Sequence, residues 1–148
     1  MREILFRGKR TDNGEGEFVY GIPVEGEPLL GMGKRTYIIT KPGVQWVDGV
    51  YMTYDECIEV DPETIGDYTG LADRNNKKIF KGDIVVFADF FNDEIHRGVV
   101  YWCDLAFWFD CTETEGDEGI YSLAYISANI LEVIGNIYDN PELLEVKK

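Results

Sequence analysis

Asp67-Tyr68-Thr69-Gly70-Leu71-Ala72-Asp73-Arg74-Asn75-Asn76-Lys77-Lys78-Ile79-Phe80-Lys81-Gly82-Asp83-Ile84-Val85 sets two polar turns around the short apolar pair Ile79-Phe80. Asp73-Arg74-Asn75-Asn76 reads as a turn because Asx side chains bond their own backbone and Asn tolerates the left-handed region. Lys81-Gly82-Asp83 reads as a second turn, and Ile84-Val85-Val86-Phe87 leaves it as a β-branched, apolar strand. The β character set here extends in both directions.

Downstream, strands are expected near Ile84–Phe90, Gly98–Cys103, Ala106–Cys111, Ile120–Ile126 and Leu131–Tyr138. Their connectors are Asn92-Asp93-Glu94, the tight Asp104-Leu105, the long acidic loop 112–119, and Ser127-Ala128-Asn129. Five short strands with one long hairpin loop suit a small, strongly bent barrel of the SH3 type; an open sheet is the alternative. Asn140-Pro141-Glu142 then reads as N-cap, N1 proline and first-turn acid of a short C-terminal helix.

Upstream, Glu3–Arg7 and Glu17–Ile22 read as strands around the hairpin signal Asn13-Gly14. Pro23, Gly26, Pro28, Gly31 and Gly33 mark a loop, Thr36–Thr40 a strand, and Lys41-Pro42-Gly43 a turn. Tyr51–Val60 gives one or two further strands, and Pro62-Glu63-Thr64 a single helical turn capped by Asp61. The expected organisation is a β-rich N-terminal region over 1–66 and a barrel region over 67–148, packed together.

The chain has 148 residues, 45% of them apolar, with 9 Tyr, 8 Phe and 3 Trp, enough for a core without metal or disulfide staples. No apolar run approaches the ~20 residues of a membrane span. The apolar run of Ile4-Leu5-Phe6 is too short for a signal peptide, and three cysteines without C-x-x-C spacing point to free thiols in a reducing cytoplasm. Cys103 and Cys111 are separated suitably for a link across a hairpin. Net charge is −14, unevenly spread. Residues 86–148 hold 13 acidic and 3 basic side chains, and 46–66 hold 6 acidic and none basic. Such a field repels phosphate backbones and favours basic partners.

His96 is the single histidine, next to an expected turn, and a catalytic pair would need Cys or Ser within its reach. Cys103, directly after Trp102 on a strand, reads as core. Four scattered Cys and His residues do not make a zinc site. The acidic run Asp110, Glu113, Glu115, Asp117 and Glu118 lacks the spacing of an EF-hand and reads as a solvated acidic patch. No Gly-rich nucleotide motif occurs. Neither a cofactor nor a metal is therefore expected, nor an enzyme. The aromatic set Phe90, Phe91, Tyr101, Trp102 and Trp108 carries the binding expectation. Adjacent strand residues point to opposite faces, so Tyr101 and Trp102 cannot both be interior. Exposed rings on small barrels stack bases or dock peptides. Base stacking needs a cationic groove, yet Arg97 is the one basic residue between 82 and 146, which argues against nucleic acid.

The opening Phe6-Arg7-Gly8-Lys9, the segment Thr64-Ile65-Gly66-Asp67-Tyr68-Thr69-Gly70-Leu71 with Gly82-Asp83-Ile84-Val85, and Gly135-Asn136-Ile137-Tyr138 together resemble the YopX-type phage and prophage proteins. That resemblance implies a mainly β protein with an SH3-like barrel, and it brings no catalytic residues. The expected function is an accessory module that binds another protein or itself. The alternative is an acidic decoy that imitates DNA and occupies a host nucleic-acid-binding protein.

Overall fold

The computed structural model describes residues 3–12, 16–88, 94–103, 106–110, 120–122 and 130–145. Two compact units are present, Glu3–Asp67 and a second from Tyr68 onward. Both are built from antiparallel strands, so the chain is mainly β.

The first unit orders its strands β4-β3-β2-β1-β5. They are β1 (Phe6–Lys9), β2 (Phe18–Gly26), β3 (Arg35–Val47), β4 (Val50–Glu59) and the start of β5 (Gly66–Ala72). Fully buried Ile38 and Val60 centre its core, and Gly8 lies under them, where a Cβ would stand 3.2 Å from both side chains and they would have to give way. At Gly21 a Cβ would stand 2.0 Å from the Ile39 carbonyl oxygen, so only glycine lets β2 approach β3 there. Asp61 caps the 3₁₀ turn Pro62–Thr64 by accepting from Glu63 N–H at 3.0 Å, as its sequence indicates.

Two proline-based expectations are corrected here. Pro23 lies inside β2, opposite Ile38, and Pro42 inside β3, opposite Asp55. Pro23 falls beyond the last β1 pair, Phe6 with Gly21, where β2 is bordered by β3 alone. Pro42 falls beyond the last β2 pair, where β3 is bordered by β4 alone. Prolines are tolerated where a strand has a neighbour on one side only. The turn expected at Lys41–Gly43 lies instead at Asp48-Gly49, with φ of 50° and 80°, the left-handed pair of a tight hairpin. One residue is extra on β3: Ile39 faces Cys57 and Lys41 faces Glu56, so Thr40 is a bulge, its hydroxyl donating to the Glu56 carbonyl at 3.2 Å.

In the second unit β5 continues to Ala72 and pairs with β6 (Lys78–Phe80) through Tyr68–Phe80 and Ala72–Lys78. A five-stranded sheet follows in the order β10-β9-β8-β7-β11. Its strands are β7 (Asp83–Ala88), β8 (Ile95–Cys103), β9 (Ala106–Asp110), β10 (Ile120–Ser122) and β11 (Glu132–Asn136). The core gathers Ile79, Val85, Phe87, Val100, Phe107, Leu131 and Val133. The SH3-like barrel does not appear among the described residues, because β10 and β11 end the sheet on opposite sides with no pairing that closes it. The C-terminal helix is also corrected. Pro141–Leu144 is one 3₁₀ turn, ended by extended Glu145. Asn140 makes no cap bond there; its Oδ1 faces the N–H of Asn136 at 3.3 Å. Arg97 Nη1 donates to the Leu143 carbonyl at 2.8 Å and fastens this turn to β8.

Candidate functional site

The polar stretch that decides the fold is a structural clamp. Asp73 Oδ1 accepts from Asn75 N–H at 2.9 Å and Lys77 N–H at 2.8 Å, closing the β5–β6 turn, and its Oδ2 accepts from Val133 N–H at 2.9 Å. Burial pushes the Asp73 carboxyl upward, but the bonds from Val133, Lys77 and Asn75 together outweigh it and hold the group below its ordinary value. Asn76 supplies the left-handed residue of this turn, with φ of 61°. Asp83 Oδ2 accepts from Phe80 N–H at 2.8 Å across Gly82, whose φ is 89°. At the other end of the sequence Asn136 Oδ1 accepts from Tyr138 N–H and Asp139 N–H, both at 3.0 Å. These residues are turn chemistry and leave the search for function to the surfaces.

Of the aromatic set, Tyr101, Trp102 and Trp108 do not share one face. Register pairs Tyr101 with Trp108 and Trp102 with Phe107, so the two pairs point to opposite sides of the sheet. Trp102 shares the core face with buried Val100 and Phe107 but sits at its margin, 43% exposed, its ring edge-on to Phe107 with centroids 4.5 Å apart. Tyr101 and Trp108 are half-buried on the other face. Phe90 and Phe91 lie outside the described residues, as do Glu113, Glu115, Asp117 and Glu118. Of the acidic run, Asp110 alone has a described backbone, at the end of β9 opposite Val99 and Ile120.

His96 is buried in β8 and stacks on Phe87 at 4.8 Å, a packing position. Cys57 is an exposed free thiol; Cys111, half of the suggested link, lies outside the described residues. Among the described residues no three His, Cys, Asp or Glu gather as metal ligands. No helix among them is long and apolar enough to cross a membrane.

Sequence reasoning missed a set of exposed apolar residues in the first unit. Tyr20, Ile22 and Val24 on β2, and Val44, Trp46 and Val50 on the β3–β4 hairpin, are all exposed. The signal that could have located the hairpin was Asp48-Gly49 between two β-prone runs. An open pocket of about 400 Å³ lies nearby, lined by Pro23, Val24, Glu25, Thr36, Pro62 and Ile65.

The architecture has counterparts among solved structures. The crystal structure of protein EF1440 from Enterococcus faecalis is 22% identical, with a TM-score of 0.62, covering 98% of this chain and 100% of that one. The X-ray structure of protein yopX from Bacillus subtilis is 16% identical, with a TM-score of 0.53, covering 97% of this chain and 98% of that one. At these identities the likeness is one of fold. No curated protein matches the chain. The profile of the YopX protein family matches residues 33–145, which take in the clamp of Asp73, the Gly82 turn and the Asn136 turn. The chain belongs to the YopX protein family.

Proposed function

We propose that this YopX-family chain is a non-enzymatic accessory protein that binds another protein, in the setting its family resemblance implies: a phage or prophage product acting in the bacterial cytoplasm. The observation that carries this reading is Trp102, left 43% exposed at the margin of a core face whose cross-strand member Phe107 is buried. A tryptophan placed so offers a large, rigid anchor at little cost in side-chain entropy, as binding hot spots do. The test is affinity capture from a bacterial lysate at low and high salt, with wild type and Trp102→Ala. A partner held at high salt and lost with Trp102→Ala supports the reading. Capture indifferent to Trp102→Ala overturns it.

The second reading is the acidic decoy, favoured by the 13 acidic against 3 basic residues of 86–148. Its contact is electrostatic, so a captured nucleic-acid-binding protein should be released steeply as salt rises. Retention of that protein at high salt overturns this second reading.

A further inference from the structure

The core face of the first unit's sheet ends in an open cavity. Along β2, Pro23 and Glu25 stand opposite Ile38 and Thr36, so these four side chains share the face on which Ile38 is fully buried. Past Ile38 that face opens into the pocket of about 400 Å³. Pro23, Val24, Glu25 and Thr36 wall it from the sheet, and Pro62 and Ile65 from the turn after β4. Val60 N–H donates to the Thr36 carbonyl at 3.0 Å, which seats that turn beside the end of β3.

The lining divides by chemistry. Pro23, Val24, Pro62 and Ile65 are apolar, and no lysine, arginine or histidine lines the pocket. Glu25 and Thr36, directly opposite in register, set a carboxylate and a hydroxyl side by side. The acids that follow Glu25 or flank the turn are already engaged by the fold. Glu27 accepts from Gly31 N–H at 2.7 Å and Gly33 N–H at 3.3 Å, Glu59 pairs with Arg35 at 3.0 Å, and Asp61 caps its turn. Among the described residues no side-chain hydrogen bond or ion pair engages the Glu25 carboxylate or the Thr36 hydroxyl. An anion would be repelled here, and a purely apolar group would leave both acceptors unused.

We propose that this pocket takes a lysine or arginine side chain of a partner protein. Its aliphatic stem lies against Pro23, Pro62 and Ile65, and its cationic head meets Glu25 and Thr36. Long basic side chains bury their stems in this way and keep the head at a polar rim, where bonds to a carboxylate are charge-assisted. A net charge of −14 draws basic partners toward such a site. The open mouth favours a side chain over a free amine, because the backbone that carries it stays outside, whereas sites for free small molecules bury most of the ligand. The inference rests on the protein-binding reading and names the chemistry of one contact, in the unit that does not hold Trp102.

Amide NMR spectra of the full chain test it, with blocked amino acids as probes. Acetyl-lysine methylamide and acetyl-arginine methylamide carry the cation, and acetyl-norleucine methylamide keeps an apolar stem without it. The cationic probes should shift the amides of Val24, Glu25, Thr36 and Ile65 saturably, with a Kd on the order of 10 mM for a single side chain. Glu25→Gln should weaken them about two- to fivefold, the range of a solvent-accessible ion pair, and leave the norleucine probe unchanged. Amides elsewhere should keep their positions in the variant, which guards against a folding defect. Absence of a saturable shift up to roughly 50 mM, well above that Kd, would overturn the inference. So would norleucine binding as tightly as lysine, or cationic binding that Glu25→Gln leaves intact. Butylammonium bound about tenfold more tightly than blocked lysine would assign the site to a free amine and overturn the protein side chain as its source. Should the probes fail while a host protein is captured at high salt through Trp102, the pocket is excluded and the protein-binding reading stands.

Discussion

The carboxylate of Asp73 accepts a hydrogen bond from the backbone N–H of Val133, 60 positions later, at 2.9 Å. The same side chain closes its own turn through Asn75 and Lys77, so a local Asx motif also sets where β11 begins. Truncation to Asp73→Ala leaves three backbone donors without this acceptor. Charge-assisted bonds contribute about 1.5–3 kcal/mol each, non-additively, so a loss of about 3 kcal/mol is expected in urea unfolding. A change below about 0.5 kcal/mol, the scatter of surface substitutions, would show that the clamp is dispensable.

Acid should act through the same group. The folded carboxyl lies below its ordinary value near 3.8, so the unfolded chain takes up the proton more readily. The stability it contributes is present above that ordinary value and is lost as pH falls through the lower, folded one. The difference in melting temperature between wild type and Asp73→Asn should therefore shrink on acidification below about pH 4. A gap that stays constant or widens there contradicts the assignment.

Two glycines of the first unit give opposite expectations. Gly21→Ala drives a Cβ into the Ile39 carbonyl, where backbone has to move, whereas nothing lies within 4 Å of a Cβ at Gly26. Overpacking of this kind costs about 1–3 kcal/mol or more, against about 0.5 kcal/mol for the open site. Equal melting temperatures for the two variants would refute the close approach of β2 to β3.

Phe107 and Trp102 separate packing from binding. Phe107→Ala removes a buried ring and should cost about 3–5 kcal/mol. Trp102→Ala removes a marginal one and should cost under about 1.5 kcal/mol while abolishing partner capture. The two stabilities are compared by denaturant titration; a larger loss at Trp102 would place it among the core residues instead.

The two turns around Ile79-Phe80 were legible because each is local: Asp73 and Asn76 in one, Gly82 and Asp83 in the other, all act within a few residues. The alternation that separates Tyr101 from Trp102 was legible for the same reason. Pro23 and Pro42 misled, since a proline reports a missing donor without saying whether a neighbouring strand would have used it. Closure of the second sheet was not legible either, because it depends on whether β10 and β11 pair. The contact of Asn140 with Asn136 displaced a cap that the sequence Asn-Pro-Glu advertises. The side taken by Val44 and Trp46 was not legible because the slip at Thr40 is decided between β3 and β4 and leaves no mark within either.

That slip at Thr40 constrains how a gene for this hairpin can change length. Deleting the Thr40 codon would remove the bulge and leave Trp46 opposite Tyr51 on its present side, whereas any other one-residue change in β3 needs a bulge gained or lost to keep it there. Removing two residues from each strand beside Asp48-Gly49 would shorten the hairpin and leave every remaining side chain facing as before. Natural variation in the hairpin is therefore expected to come in even steps, with odd ones appearing as a second bulge or a lost one.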